Sequence, residues 1–431
     1  MSSLNILISE PNSQPHVSYL PYIWAILKTY TEKDTDLGRG LNWLDPIYQY
    51  HAVAALDRTY GDTRIDVLGL SCYVWNWQSQ LEIARRVKAR NPNCLVVAGG
   101  PEPDHKNSAF FATHPDIDIV VVKDGEFAFS EILRKVIADD DDFSDVPGVY
   151  LPGADRSERH LTRAAEVPTV FEHSPYVEQS AYYEQYMNRH EGEFVNVILE
   201  TNRGCPYSCA FCDWGQSTMS KLRRFDMARI TAEIEWFGRM QIDFCFLADA
   251  NLGILERDLE IADHFNKVRD KYGKPRFLYY SPAKNNPART MAISSKFYAS
   301  GLSNIHTFAI QHTRDEVLAC INRANISTEK QRQIARYMHE HGIPTDVQLI
   351  AGLPGDTYEL WQSCFGDLME WGIHEYYYIF SFSLLPNAPA ADPEYRKEWQ
   401  LETVRRRLPL EAPGKRAVDD VELLTTAEIV V

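Results

Sequence analysis

The sequence predicts an α/β protein of two successive units: a Rossmann-like parallel sheet, then a partial (β/α)6, TIM-like barrel. Short apolar runs of strand length alternate with helix-period segments from Leu4 to Ile137, and again from Phe194 to Phe382, the pattern of parallel sheets covered by helices. Between them a polar, tyrosine-rich stretch interrupts the alternation. The unusual residues gather just after the strands, where such sheets bind ligands. These observations divide the chain into a first unit over 1–145, a linker over 146–193, a barrel over 194–396 and a carboxyl-terminal segment over 397–431.

Leu4 to Ile8 opens the chain as an apolar strand, and Tyr19 to Tyr30 reads as a helix with Leu20, Ile23, Trp24 and Leu27 on one face. A second helix is expected near His51 to Thr59. Ile65 to Leu70 then reads as a strand, Ser79 as the cap of a helix carrying Leu81, Ala84 and Val87, and Cys94 to Ala98 as the next strand. Ile117 to Val122 and a helix over Glu126 to Ile137 complete the unit. The strand-end turns are Ser71-Cys72-Tyr73-Val74-Trp75-Asn76, Gly99-Gly100-Pro101-Glu102-Pro103 and Lys123-Asp124-Gly125-Glu126. Glycine lets a bulky ligand approach the backbone, and Ser71 offers a hydroxyl. Tight turns in a sheet that binds nothing account equally well for any one of them.

Asp139 to Asp142 reads as a solvated acidic turn, Val146 to Gly153 as an extended or hairpin segment, and Ala154 to Glu193 as an ordered linker whose aromatics serve packing. The expected barrel strands are Phe194–Leu199, Ile242–Leu247, Arg276–Tyr280, Asn304–Ile310, Thr345–Ile350 and Glu375–Phe382. Helices are expected over Asp226–Met240, Glu256–Tyr272, Thr290–Ser300, a pair within Arg314–His341, and Tyr358–Trp371. At their carboxyl ends, Asp249 and Asn251 could accept from an ammonium group, Lys284 and Arg323 suit a carboxylate, and Gln311 suits a hydroxyl. In Ala351-Gly352-Leu353-Pro354-Gly355, glycine permits close backbone approach. An Asx turn, a surface lysine and an ordinary βα turn are the structural alternatives at Asp249, Lys284 and Gly352. Tyr279, Tyr280, Tyr376, Tyr377 and Tyr378 could line an aromatic-friendly cavity, although strands favour aromatics in any case. Pro386 to Pro393 is placed to close the barrel mouth over a substrate. Arg405-Arg406-Arg407 reads as a solvated face, and Glu428 to Val431 as an interrupted strand, as a truncated chain or a chain lacking a further domain would show.

The 431 residues, 45% hydrophobic and 24% charged, have a globular composition. No apolar run approaches the roughly 20 residues needed to cross a bilayer, and Met1 to Glu10 lacks a basic start, so a cytoplasmic protein without membrane contact is expected. The net charge of -16 argues against a general nucleic-acid binder. Cys72, Cys94, Cys245, Cys320 and Cys364 are scattered among apolar neighbours and read as small buried hydrophobes.

The other three cysteines lie in Thr201-Asn202-Arg203-Gly204-Cys205-Pro206-Tyr207-Ser208-Cys209-Ala210-Phe211-Cys212-Asp213-Trp214-Gly215, at spacing C-x-x-x-C-x-x-C directly after a strand. Three thiolates on one loop suit an iron–sulfur cluster, leaving a fourth iron without a protein ligand. Structural zinc is the competing reading, but it wants a fourth Cys or His and none follows Cys212 closely; incidental cysteines are the third.

This loop resembles the signature of the radical S-adenosylmethionine enzymes. The resemblance implies that Cys205, Cys209 and Cys212 hold a [4Fe-4S] cluster whose open iron takes the amino and carboxylate groups of S-adenosylmethionine. It further implies that Phe211 contacts adenine, and that Asp249, Asn251, Lys284, Gln311, Arg323, Gly352 and Leu353 serve the amino group, ribose, carboxylate and adenine. The turns of the first unit resemble the cobalamin-binding domain that precedes many such barrels. Ser71 would then meet the dimethylbenzimidazole tail, and Tyr73, Trp75, Asn76, Gly99, Gly100, Pro101, Pro103, Gly125 and Glu126 would line the tail and corrin. Two departures stand out. Lys123-Asp124-Gly125-Glu126 replaces the more frequent Gly-Glu-Gly-Glu, and D-x-H-x-x-G is absent, so base-off cobalamin without a histidine ligand is expected. His16 reads as a solvent-exposed loop residue.

Cys212-Asp213-Trp214-Gly215 and Leu385-Pro386-Asn387-Ala388-Pro389-Ala390-Ala391-Asp392-Pro393 are similar to segments of cobalamin-dependent radical methyltransferases acting on natural-product and peptide substrates. Over roughly Leu4 to Arg396 the resemblance implies carbon methylation. A deoxyadenosyl radical would abstract hydrogen, methylcobalamin would supply methyl, and a second S-adenosylmethionine would restore it. It also implies an electron donor such as a flavodoxin or ferredoxin, and a small-molecule or peptide substrate. A rearrangement or ring contraction, methyl transfer without a radical to an aromatic carbon such as that of tryptophan, and a non-enzymatic cobalamin sensor are the alternatives.

Overall fold

The computed structural model describes residues 3–13, 18–33, 35–37, 40–153, 159–162, 172–214, 222–284, 286–407 and 426–430. His16, Gly215, Asn285 and the side chains of Arg405 to Arg407 lie outside the described set.

Strand β1 (Leu4–Ser9) leads through a two-residue strand β2 (Ser18–Tyr19) to helix α1 (Tyr22–Lys33). The helix begins three residues later than expected because Tyr19 is drawn into strand pairing. Glu10 fixes the start: its carboxylate accepts from the amides of Tyr22, Ile23 and Trp24 at 3.0, 2.9 and 2.8 Å, satisfying donors a helix leaves open. Next come β3 (Leu41–Trp43), α2 (Ala52–Tyr60), β4 (Val67–Ser71), α3 (Trp77–Arg90), β5 (Leu95–Gly99), α4 (Phe110–Thr113), β6 (Ile119–Val121) and α5 (Gly125–Ile137). Neither β3 nor α4 was expected, because both are short and lie in polar or glycine-containing sequence. Ser79 does not cap α3; Asn76 stands at that position, its Oδ1 accepting from Tyr73 N at 2.8 Å and its Nδ2 donating to Ser71 O at 2.9 Å.

Strands β7 (Val149–Pro152) and β8 (Arg159–Leu161) extend the sheet antiparallel, giving the order β3-β1-β4-β5-β6-β7-β8. The strand period of two sorts the core: Ile6, Ile8, Val67, Val97 and Val121 pack under α1 and α5, whereas Leu7, Leu68, Leu70, Val96 and Val120 pack under α2, α3 and α4. Gly69 fits because a Cβ there would stand 2.6 Å from Ile8 Cδ1.

Helices α6 (Pro175–Glu178) and α7 (Ser180–Arg189) follow. Their tyrosines pack, as expected: Tyr176, Tyr183 and Tyr186 are fully buried, with Tyr183 Oη donating to Pro21 O at 2.6 Å and Tyr176 Oη to Ile198 O at 2.7 Å.

All six barrel strands form. β9 (Val195–Leu199) precedes a small hairpin of β10 (Asn202–Arg203) and β11 (Arg223–Arg224), which brackets the cysteine loop. α8 (Met227–Arg239), β12 (Phe244–Leu247), α9 (Asp258–Tyr272), β13 (Phe277–Tyr279), α10 (Pro287–Ala299) and β14 (His306–Gln311) follow. α11 (Asp315–Cys320), α12 (Thr328–Glu340), β15 (Thr345–Ala351), α13 (Tyr358–Trp371) and β16 (Tyr376–Ser381) complete the barrel. The strands lie in two parallel ladders, β13-β12-β9-β2 and β14-β15-β16, so β2 carries the first unit into the barrel sheet.

Val197, Cys245, Leu278, Phe308 and Val347 face the helices. Their neighbours Phe246, Tyr279, Gln348 and Tyr378 face the opposite way. Tyr279, Tyr376 and Tyr378 therefore lie on the inner face, whereas Tyr280 is buried against Ser294 and Tyr377 against Phe365. Helix α14 (Pro393–Glu398) leads to β17 (Thr403–Arg407), which pairs antiparallel with β18 (Thr426–Val430). The expected interrupted strand is thus paired, and Val430 N donates to Phe382 O at 2.9 Å. Cys72, Cys94, Cys245 and Cys364 are buried as expected; Cys320 is only half-buried, and Gly355 passes so near that a Cβ would stand 2.8 Å from its sulfur.

Candidate functional site

The cysteine loop leaves β9 and is braced from three sides. Asp249, at the end of β12, is buried, and its carboxylate takes four donors: Thr201 N at 2.8 Å, Asn202 N at 3.2 Å, Asn202 Nδ2 at 2.9 Å and the Thr201 hydroxyl. Burial pushes its pKa up to about 7 against those donors. The acceptor expected to meet an ammonium group is therefore occupied by the loop that carries the thiols. Asn251 and Arg323 aim at the sulfurs, Asn251 Nδ2 at 3.4 Å from Cys205 Sγ and Arg323 Nη1 at 3.7 Å from Cys209 Sγ. Arg323 also donates to Ala309 O and lies over the Phe211 ring, 5.9 Å from its centroid.

Cys205, Cys209 and Cys212 are half-buried, and burial pushes the Cys212 thiol up to about 11. Among the described residues no three His, Cys, Asp or Glu side chains converge as ligands of one ion. Three spaced thiols with N–H donors aimed at the sulfurs fit the cluster.

Of the other barrel residues, Leu353 packs with Ala210 and Phe211 of this loop. Burial, then Arg323, pushes Lys284 down to about 7, while the three cysteines oppose the shift. Gln311 sits at a bulge in the β14–β15 register with φ 67°, a left-handed conformation costly for a residue with a Cβ. Its buried Oε1 meets no hydrogen-bond partner among the described residues. Gly352 has φ 81°, and a Cβ there would lie 3.8 Å from Val430 O, so β18 is the nearest backbone to it; Leu353 is core.

At the carboxyl edge of the first sheet, Tyr73 and Trp75 stack with centroids 4.4 Å apart and planes 9° from parallel, leaving Trp75 40% exposed. Ser71 is buried, its carbonyl taken by Asn76 and Gln80. Gly99 is open, the nearest atom to an added Cβ being Val121 Cβ at 4.0 Å. Gly100 serves the chain itself: with φ 99°, a Cβ would stand 2.4 Å from Cys72 O. An exposed stacked indole beside open backbone fits the flat face and bulk of a corrinoid.

The third turn is engaged otherwise than expected. Lys123 adopts φ 73°, a left-handed conformation that favours glycine. Gly125 opens α5, and Glu126 is buried against Arg203, with Nη1 2.8 Å from its Oε1. Arg203 also reaches Asp124 at 3.0 Å and Glu200 at 2.7 Å, and Arg223 pairs with Asp124. Arg203 and Asp124 stand in the sequence reading only as members of motifs, and Glu200 and Arg223 are missed; the signal available for them is charge beside a strand end. The proline loop likewise does not simply cover the barrel: Asn387 Nδ2 donates to Pro101 O and Pro103 O at 2.8 and 2.9 Å.

Comparison with known proteins agrees with this division. The B12 binding domain description matches residues 44–133, and the Radical SAM superfamily description matches 199–365. The chain is 40% identical over 405 residues to 2-(S-pantetheinyl)-carbapenam-3-carboxylate methyltransferase of Streptantibioticus cattleyicolor, covering 92% of this chain and 58% of that protein. It is 37% identical over 401 residues to the cobalamin-dependent radical SAM methyltransferase TokK of Streptomyces tokunonensis, again covering 92% and 58%. The chain thus spans 58% of the length of both relatives. Its fold is similar to that of TsrM from Kitasatospora setae, with TM-score 0.70, 17% identity, and coverage of 90% of this chain and 74% of that one. It is also similar to OxsB, with TM-score 0.68, 15% identity, and coverage of 92% and 61%. Both descriptions are matched in order on one chain, a B12-binding domain followed by a radical SAM domain.

Proposed function

We propose that this protein is a cobalamin-dependent radical S-adenosylmethionine methyltransferase acting on a carbon of a small natural-product or peptide substrate. The observation that carries the reading is the joining of a three-thiol loop to a corrinoid-type sheet edge through Asn387 and Arg203. When bound, the cluster with S-adenosylmethionine supplies hydrogen abstraction and the corrinoid supplies a transferable methyl group.

Cys205, Cys209 and Cys212 are assigned to the cluster, with Asn251 and Arg323 donating to sulfur. Lys284 and Arg323 offer cations for a carboxylate, Gln311 an unpartnered acceptor for a ribose hydroxyl, and Phe211, Gly352 and Leu353 a surface for adenine. Asp249 acts on the cysteine loop through Thr201 and Asn202. Ser71, Tyr73, Trp75, Asn76, Gly99 to Pro101, Pro103, Gly125 and Glu126 form or support the corrinoid face. The chain has no D-x-H-x-x-G sequence, so a bound corrinoid would find no histidine of that motif. Among the described residues no helix is long and apolar enough to cross a membrane. All eight cysteines are free, which suits a reducing cytoplasm and a flavodoxin- or ferredoxin-type electron donor.

Anaerobic reconstitution with iron, sulfide and hydroxocobalamin tests the reading. Absorption from both cofactors is expected, and absence of either refutes it. With 2-(S-pantetheinyl)-carbapenam-3-carboxylate as probe, methylated product should accompany deoxyadenosine and S-adenosylhomocysteine. Deoxyadenosine without methylation would indicate rearrangement, and S-adenosylhomocysteine without deoxyadenosine a non-radical transfer.

A further inference from the structure

We propose that residues 385–391 form a strap between the two units, in which Asn387 is a positioning residue that sets the separation of the 99–103 turn from the cysteine loop. The inference rests on the function proposed above, because that chemistry needs the two loops to face one substrate atom.

Asn387 is 2% exposed. Both hydrogens of its Nδ2 are used, one on Pro101 O at 2.8 Å and one on Pro103 O at 2.9 Å. Two carbonyl acceptors can be met only by the NH2 end of the amide, so the side chain has one orientation. Pro101 and Pro103 lie in the turn between β5 and α4, outside any strand ladder, so their carbonyls need a donor from elsewhere. The main chain is tied as well, since Lys106 Nζ donates to Asn387 O at 3.0 Å.

Three residues on, Ala390 N donates to Ala210 O at 2.9 Å, and Ala210 N donates to Ile321 O at 2.8 Å. Ala210 lies between Cys209 and Cys212. Between the two anchors, Ala388 and Ala390 are fully buried and Pro389–Ala391 forms a single 3-10 turn, which leaves little slack. At the far end, the 99–103 turn is fixed to the residue after β4: Glu102 N donates to Cys72 O at 3.3 Å, and Gly100 leaves room for the same carbonyl, from which a Cβ would stand only 2.4 Å away. A continuous hydrogen-bonded path thus runs from the carboxyl end of β4 to the peptide between two cluster cysteines. Reactions of bound partners are sensitive to displacements of about 1 Å, so a residue touching neither partner can govern their encounter.

Asn387→Asp keeps the size and removes both donors, placing a carboxylate against two carbonyls; Asn387→Gln keeps the donors at a longer reach. In the full-length chain carrying the reduced cluster and cob(II)alamin, pulsed electron paramagnetic resonance should give one narrow intercofactor distance in the wild type. The Asp variant should give a broadened distribution and the Gln variant a shifted one, at unchanged iron and cobalamin content. In the cofactor-free protein, hydrogen exchange across 99–106 and 208–212 should be roughly tenfold faster in the Asp variant, as expected for losing one to two net hydrogen bonds. Unchanged distances and unchanged exchange overturn the proposal. Loss of a cofactor, or of protection throughout the chain, overturns it equally, because Asn387 would then serve retention or folding. A wild type that binds neither cofactor refutes the proposed function instead, and the exchange measurement still judges the strap.

Discussion

Replacing Arg203 with methionine tests how the two units are held together. The side chain is 14% exposed and serves three carboxylates: Glu200 at 2.7 Å, Glu126 at 2.8 Å and Asp124 at 3.0 Å. Arg203→Met leaves Arg223 on Asp124, the Tyr22 hydroxyl on Glu200, and two buried carboxylates without their principal cation. Breaking a buried pair from one side costs about 3–5 kcal/mol, a large share of the roughly 5–15 kcal/mol that holds a domain folded. The cost depends on pH. Arg203 holds Glu200 below its ordinary 4.5 against burial, whereas burial already outweighs Arg203 at Glu126 and raises it. Because its folded pKa is depressed, Glu200 stabilises the wild type above about pH 4.5 and loses that contribution as pH falls further. In the variant both glutamates rise, the folded state takes up protons on acidification, and the penalty shrinks toward about pH 5. Anaerobic urea titrations followed by tryptophan fluorescence at about pH 8 and about pH 5.5 measure this. A penalty below about 1 kcal/mol at the higher pH, or one equal at both, would refute the clamp.

Three further outcomes are expected. The Arg229–Glu233 pair at 3.0 Å is almost wholly buried, so Arg229→Met should cost about 3–5 kcal/mol while the double change with Glu233→Met recovers most of it, read from urea midpoints. Burial pushes His306 down to about 3 from an ordinary 6.5; its neutral form favours folding above pH 6.5, and up to about 1.4 kcal/mol per pH unit is lost below it, a slope that His306→Gln should flatten. Asp249→Asn keeps an acceptor for the amides of Thr201 and Asn202 but turns an NH2 toward Asn202 Nδ2. That change should cost about 1–3 kcal/mol and lower the iron bound on reconstitution.

Periodicity made the elements legible because it is a property of adjacent residues. The alternation of Ile6 and Ile8 with Leu7 forecast a sheet covered on both faces, and each barrel strand appeared within a few residues of its apolar run. Where a boundary moved, a distant partner had moved it. Tyr19 left the expected helix because β9, far along the chain, offered it a strand partner. Asn76 rather than Ser79 began α3 because the Ser71 carbonyl and Tyr73 amide came within reach of its amide.

The same distinction separates the legible part of the site from the rest. Three cysteines in one short loop carry their meaning in their spacing, whereas Asp249, Gly100, Glu126 and Asn387 carried only a residue type and a place after a strand. The first three were suited to a ligand, and all four are engaged by the chain itself: Asp249 by Thr201 and Asn202, Gly100 by Cys72, Glu126 by Arg203, Asn387 by two prolines 286 and 284 residues away. Polar groups at a strand end can be satisfied by a ligand or by another loop, and one sequence does not distinguish the two. Here the loop contacts run across the units, so the turns beside the corrinoid face and the loop bearing the thiols hold one another. A first unit transplanted from elsewhere would need carboxylates placed like Asp124 and Glu126, and free carbonyls like those of Pro101 and Pro103, before its own ligand contacts could matter.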